Sequence, residues 1–268
     1  MLGTLNFLSQ NKIPCTLKAG HFNYSEKWLQ KGEVLLLQGG GNLGDLYPGP
    51  QALRERVISK LINNRIIILP QTIHFSSESN LEKCIGIFSQ HKDLHICVRD
   101  ENSYFLAQRM SKNVYLLPDM AHQLWPVERS SIPQKQSLGI IREDIESKNQ
   151  PPLDVDLKTD WPELIGNRER AFRLIQRIMG TMHQAGADRY LVNLEMDLWI
   201  KYARKLSREA INLFSDYENI ITDRLHGHIL SCLMNIPHTV HDNSYGKNSG
   251  YLQAWTGNSD IVSSHRAS

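Results

Sequence analysis

Between Glu33 and Pro118 short apolar runs alternate with stretches of helical spacing, and this alternation constrains the fold more than any other feature of the chain. The apolar runs are Val34 to Leu37, Ile66 to Leu69, Leu94 to Val98 and Val114 to Leu117. Helical patterns over Gln51 to Asn63, Asn80 to Gln90 and Asp100 to Met110 separate them. Strands that alternate with helices predict a parallel sheet covered on both faces. Ile66-Ile67-Ile68-Leu69 is apolar without interruption, as a central strand buried on both sides must be. Ligands of such sheets bind beyond the carboxyl ends of the strands. Four loops therefore become candidates: Gly39 to Asp45, Pro70 to Phe75, Arg99 to Ser103 and Pro118 to His122.

From Trp125 to Gln136 the pattern weakens, and Pro126, Ser130, Ser131 and Pro133 read as a connection between domains. The expected division is 1–128 and 129–268. The second part begins with a strand at Leu138 to Ile141 and a long Pro- and Asp-rich loop from Ser147 to Trp161. A helix from Arg168 to Gln184, a strand at Tyr190 to Leu194 and a helix from Leu198 to Tyr217 follow. A strand at Ile220 to Thr222, a helix from Arg224 to Met234 and a strand at His238 to His241 complete it. Two α/β domains with parallel sheets, facing each other across a cleft, is the architecture these elements predict.

A chain of 268 residues with 41% hydrophobic content can bury a full core. Thirty Lys and Arg against 28 Asp and Glu leave a formal charge of +2, too balanced to argue for nucleic acid or a membrane surface. An anionic ligand must therefore be met by local groups. The four cysteines, Cys15, Cys84, Cys97 and Cys232, are scattered without CxxC spacing and read as reduced core thiols. With neither a membrane-span-length apolar run nor a basic-then-apolar start, the expected location is the cytoplasm.

Two segments carry most of the chemistry. Gly39-Gly40-Gly41-Asn42-Leu43-Gly44-Asp45 follows an apolar run and reads as a strand opening into a turn, where Gly40, Gly41 and Gly44 let backbone amides approach an anion. Asn42 and Asp45 add polar groups suited to a hydroxyl. The spacing is neither GxGxxG nor GxxxxGK[ST]. Asp223-Arg224-Leu225-His226-Gly227-His228 stands where a strand gives way to a helix, so Arg224 and His226 fall in a first turn that favours anions. His226 and His228, two positions apart, cannot line one site; one is a binding or catalytic group and the other structural. Arg99, just past Val98, can meet an anion or pair with Glu101 or Asp119, and Asp100 can cap the next helix. Ser244 and Lys247, within Asn243-Ser244-Tyr245-Gly246-Lys247, form a further candidate clamp. No HExxH, ligand-spaced carboxylates or GxSxG elbow supports a metal or a serine nucleophile.

Taken in order, GGGNLGD with Tyr47-Pro48, the segment Leu69 to Phe75 with His74, VRDENS at Val98 to Ser103, DRLHGHILS at Asp223 to Ser231 and NSYGKNSGY at Asn243 to Tyr251 resemble the polysaccharide pyruvyl transferases. The resemblance runs from Glu33 to Trp255 and includes Arg142, Asp144 and Glu146 as that family's RxDxE element. It implies two Rossmann-like domains of GT-B-like arrangement and phosphoenolpyruvate as donor substrate, with no cofactor. Family members usually open with a strand and an HGNxGD-type loop, whereas Met1-Leu2-Gly3-Thr4-Leu5 resembles the helix after that loop. The expected first sheet therefore lacks the first N-terminal strand.

What the resemblance implies chemically is transfer of an enolpyruvyl group to two hydroxyls of a hexose in an exopolysaccharide or cell-surface glycan precursor, forming a cyclic ketal. His226 would be the acid. Arg99 and Arg224 would hold the donor's carboxylate and phosphate, for which a guanidinium fork is suited. Asn42 and Asp45 would orient the acceptor. A lipid-linked or polymeric saccharide acceptor would bring peripheral association with the inner membrane face. The alternatives are a GT-B-like nucleotide-sugar glycosyltransferase and an inactive truncated family member.

Overall fold

The computed structural model describes residues 1–20, 23–144, 153–166, 189–242 and 246–264. Contacts divide the chain into two units, one of Met1 with Cys15–Met120 and one of Leu2–Pro14 with Ala121–Ser268. The first helix, α1 (Leu2–Gln10), thus belongs to the second unit, where it packs against a long helix near the other end of the sequence. The expected division at residue 128 took no account of that return.

The first unit is built on β1 (Leu35–Leu37), β2 (Gly40–Gly44), β3 (Ile66–His74), β4 (Leu94–Val98) and β5 (Asn113–Leu116). Every pairing is parallel, in the order β1-β3-β4-β5, with β2 continuing alongside β3 beyond β1. Helices α2 (Pro48–Lys60), α3 (Glu78–Phe88) and α4 (Glu101–Gln108) connect the strands. Ile66, Ile68, Leu94, Ile96 and Val98 meet Val57, Ile58, Cys84, Phe88 and Met110 in one core cluster of buried residues. Burial holds the thiols inert: Cys84 is pushed up to about 12 and Cys97 to about 11.

Two sequence expectations change here. The glycine segment is a strand rather than a loop, because Gly40, Leu43 and Gly44 register with Gln71, Ile73 and His74. Pro70 likewise does not end β3; the ladder shifts register around it and β3 runs on to His74. Glycine is required for this pairing. A Cβ on Gly39 would lie 2.1 Å from the Pro70 carbonyl oxygen, and one on Gly44, at φ +133°, 1.7 Å from that of His74.

The second unit holds β6 (Lys135–Ile140), β7 (Leu157–Thr159), β8 (Tyr217–Thr222), β9 (His238–Val240) and β10 (Val262–Ser264), all parallel, in the order β10-β9-β8-β6-β7. Its helices are α5 (Trp161–Ile165), α6 (Arg189–Ser215), α7 (Leu225–Leu233) and α8 (Lys247–Tyr251). Leu138, Ile140, Ile220 and Phe214 form its core with Tyr217, Met234 and Ile236. Residues 190–194, expected as a strand, lie within α6, whose apolar positions keep helical spacing through Ser215. The expected long loop contains β7, and the expected helix at 168–184 lies outside the described residues. Among the described residues no helix is long and apolar enough to cross a membrane.

Candidate functional site

The order of the second sheet reverses at β6: the chain steps to β7 on one side and returns to β8 on the other. Such a switch point opens a crevice at the carboxyl ends of the two central strands. Here those ends are pinned together by Thr222, whose hydroxyl donates to the Ile140 carbonyl at 2.8 Å and accepts from the Arg224 amide at 3.0 Å. A Cβ on Gly227 would stand 2.6 Å from that hydroxyl, so the glycine lets the first turn of α7 sit close over the strand end.

Charged groups from three strand ends meet at this point. Arg142, just past β6, donates its backbone amide to Asp223 Oδ1 at 2.8 Å and its guanidinium fork to Asp144 at 2.9 and 3.1 Å. Arg224, between β8 and α7, places Nε 2.7 Å from Asp160 Oδ1, gives Nη2 to the other oxygen of the same carboxylate, and places Nη1 2.9 Å from Asp144 Oδ2. Asp160, at the end of β7, also accepts from the Trp161 amide and so caps α5. Asp144 therefore bridges two guanidiniums. Its side chain is 41% exposed, whereas those of Arg142, Arg224 and Asp160 are 6%, 12% and 3% exposed. Burial raises the Asp223 carboxyl above its ordinary value, opposed by the Arg142 amide and the nearby guanidiniums.

The two histidines of α7 part company. His226 is exposed on the first turn. His228 is fully buried: its Nδ1 lies 2.7 Å from His238 Nε2 and its Nε2 2.8 Å from the Thr256 hydroxyl. Burial first, then His238 and His122, lower its pKa to about 3. Cys232 stands 3.8 Å from both rings. These three residues are the one His/Cys/Asp/Glu group among the described residues compact enough to hold a metal ion. Their ring nitrogens are already engaged in a hydrogen-bonded chain. Asn248, in α8, donates to the backbone carbonyls of Asp223 and His241 at 2.7 and 2.8 Å, tying α8 to the end of β8. Lys247 is the first residue of α8. Ser244 and Glu146 lie outside the described residues.

In the first unit Arg99 is fully buried, with Nε donating to the Thr72 hydroxyl at 3.0 Å and Nη1 paired with Asp119. Asp100 caps α4 through the Ser103 amide. Asp45 accepts from the Ser76 amide and hydroxyl, the Ser77 amide and Asn80 Nδ2, between 2.8 and 3.2 Å. Partial burial works against these four bonds, and the net effect lowers its pKa. A sugar hydroxyl would have to compete for a carboxylate that tethers β2 to the start of α3. His74 closes β3 beside Gly44. Asn42 is gripped from below by Arg54 of α2, which donates to its carbonyl at 2.8 Å and its Oδ1 at 2.6 Å. The sequence reading singled out neither Arg54 nor Asp160. Asp160-Trp161-Pro162-Glu163 is a helix-start pattern that could have drawn attention to Asp160.

The chain is similar to several known proteins. The family model described as polysaccharide pyruvyl transferase matches residues 1–245. EpsO of Bacillus subtilis, named as a candidate pyruvyl transferase, is 36% identical over 259 residues, which cover 95% of this chain and 80% of EpsO. Pyruvyl transferase 1 of Schizosaccharomyces pombe is 29% identical over 244 residues, and there the match spans 54% of the relative. A crystal structure of an uncharacterised protein from Klebsiella pneumoniae shares the fold at 19% identity, with a TM-score of 0.63 over 99% of this chain and 86% of that one. The ordered strand-end motifs and the match along most of its length agree: the chain belongs to the polysaccharide pyruvyl transferase family.

Proposed function

We propose that this chain transfers the enolpyruvyl group of phosphoenolpyruvate to two hydroxyls of one hexose in an exopolysaccharide or cell-surface glycan precursor, closing a cyclic ketal and releasing phosphate. The observation that supports it most is the meeting of Arg142 and Arg224 through Asp144 at the switch point of the second sheet, with exposed His226 on the first turn of the helix that starts there, in a member of a pyruvyl transferase family. A two-domain, GT-B-like use of the fold suits this reading. So does a cytoplasmic protein working at the inner membrane face on a lipid-linked acceptor.

The chemistry sets the roles. Protonation of the donor's methylene carbon makes it a methyl group and leaves a cation on the adjacent carbon, which the first hydroxyl attacks. Loss of phosphate regenerates a cation there, and the second hydroxyl closes the ring. The two hydroxyl protons balance the proton delivered to carbon and the one that leaves with phosphate. His226 delivers the first proton and recovers one from the attacking hydroxyl. Arg224 meets the donor anion through Nη1, the donor it now shares with half-exposed Asp144. In the second unit Lys247, the first residue of α8, adds a further cation for that anion. No step is a redox step, and no cofactor enters.

The test is phosphate release from phosphoenolpyruvate with nucleotide-, lipid- and aryl-linked galactose, glucose and mannose, run beside His226→Ala and Arg224→Lys. Release that depends on an acceptor and collapses in both variants is the expected result. Wild-type turnover in His226→Ala would remove the acid role. Release of a nucleotide from a nucleotide sugar in place of phosphate from phosphoenolpyruvate would overturn the reading as a whole.

A further inference from the structure

Arg54 lies in the middle of α2 with 4% of its surface exposed, beneath β2 and the extended end of β3. Among the described residues no carboxylate lies within ion-pair distance of it. Glu55, its neighbour in sequence, is paired with Lys83 at 2.7 Å. The ligands of the guanidinium are all neutral oxygens: the Asn42 carbonyl at 2.8 Å, Asn42 Oδ1 at 2.6 Å, Gln71 Oε1 at 3.0 Å and the Gln38 carbonyl at 3.4 Å. A buried cation with only neutral partners is costly, and removing either its charge or its ligands leaves polar groups stranded.

The hydrogen bonds of this group are unbalanced in one direction. All four acceptors are turned to Arg54: Nη1 donates to the Asn42 carbonyl, and the two N–H groups of Nη2 are shared among Asn42 Oδ1, Gln71 Oε1 and the Gln38 carbonyl. The groups left over are donors: Arg54 Nε and Gln71 Nε2 are buried without a partner, and the Gln71 side chain is fully buried. Asn42, partly exposed, uses its Oδ1 on Arg54 and keeps its Nδ2 as a further donor. A surplus of donors around one net positive charge calls for a group that brings acceptors, negative charge and no donors. That group is an oxyanion.

We propose that Asn42 and the glycine-bearing β2, backed by the Arg54 cation and its neutral ligand Gln71, form an anion subsite of the first unit that takes a phosphate or carboxylate of the substrate. Asn42 makes the contact, and Arg54 is a positioning residue that aims the Asn42 amide and supplies the field. In the second unit Arg142 and Arg224 are already matched with Asp144 and Asp160, and Arg99 in the first is matched with Asp119. Arg54 is the buried guanidinium whose charge no carboxylate among the described residues offsets. Only the identity of the substrate that carries the anion rests on the pyruvyl-transfer reading.

The experiment is an NMR titration of the full chain in which the Asn42 side-chain amide is followed while inorganic phosphate, and in a second series pyruvate, is added. Saturable movement of that resonance is expected in the wild type, and the tighter of the two series tells whether the subsite takes phosphate or carboxylate. Arg54→Met should weaken the dissociation constant read at Asn42 by roughly tenfold or more, the effect of losing a unit charge at short range in a partly buried setting. Arg54→Lys, which keeps the charge and loses the fork, should hold it within a few-fold. Equal weakening in both variants would mean that Arg54 only shapes β2 and would overturn the proposal. So would an Asn42 resonance in the wild type that does not respond to either anion, a result that stands even if both variants fail to fold. An Asn42 response without any phosphoenolpyruvate turnover would leave the subsite in place and remove the proposed reaction. Turnover with a silent Asn42 would do the reverse.

Discussion

The histidine pair of the second unit makes a definite prediction about acid stability. The donor directions follow from one end of the chain. His238 Nδ1 lies 2.7 Å from the Ile236 carbonyl and must donate to it, so His238 Nε2 accepts from His228 Nδ1. His228 Nε2 then accepts from the Thr256 hydroxyl. Every ring nitrogen is used with both rings neutral; a proton on His238 Nε2 would set N–H against N–H, and one on His228 Nε2 would leave a charge buried in a site walled by Tyr251, His122 and Cys232. Burial first, then the neighbouring His238 and His122, lower His228 to about 3, and burial lowers His238 as well. The unfolded chain protonates the same residues near pH 6.5. Between about 6.5 and about 3 the unfolded state therefore binds more protons, and stability falls as pH falls, by about 1.4 kcal/mol per pH unit for His228 alone. From pH 6.5 to 5 that is about 2 kcal/mol, with His238 adding to it in the same direction. The assay is urea unfolding of wild type and His228→Gln at pH 7.5, 6 and 5, in chelator so that the His228, Cys232 and His238 group stays metal-free. The variant should be less stable at pH 7.5 yet lose less on acidification, so the two stabilities converge. Asp223 and the surface carboxylates titrate in both proteins and cancel. Parallel stability curves would refute a His228 held neutral in the folded protein.

Two further perturbations test other parts of the structure. Asp144→Asn should tighten phosphoenolpyruvate binding by roughly fivefold in calorimetry, because a half-exposed carboxylate worth about 1 kcal/mol to Arg142 and Arg224 no longer competes with the donor; unchanged or weaker affinity would mean that the donor does not exchange with it. Gly44→Ala should cost more than about 3 kcal/mol or prevent folding, since its Cβ would overlap the His74 carbonyl at a positive φ. Gly86→Ala, exposed within α3 with nothing within 4 Å of its Cβ, should instead gain about 0.5–1 kcal/mol in the same denaturation assay.

The central strands were legible because both of their faces are largely buried, which leaves Ile66 to Ile68 apolar without a break and Leu94 to Val98 apolar apart from His95. The edge of the second sheet was not. Leu157-Lys158-Thr159 is short and two-thirds exposed, so its composition is that of a loop until β6 pairs with it. Residues 190–194 were misread because five residues in isolation suit either period, and only the continuation to Ser215 decides. Arg99, Arg224 and His226 stood out because strand ends carry them. Arg54 did not, because an arginine in a helical stretch reads as a solvated face, and its burial is a property of what β2 and β3 lay over it. The carboxylates that hold each arginine, Asp119 and Asp160, are 20 and 64 positions away, a distance over which sequence patterns say nothing about pairing.

The membership of α1 in the second unit has a consequence in time. The helix ending at Gln10 is made well before its partner α6, which does not begin until Arg189. At ordinary synthesis rates of about 5–20 residues per second that gap lasts roughly 10 to 35 s. Within it the first unit, complete at Met120, can fold while α1 remains without the helix it packs against. The nascent chain must carry an unpartnered amphipathic segment past a finished domain, and that interval is when it is most open to chaperones and to association with other copies of itself.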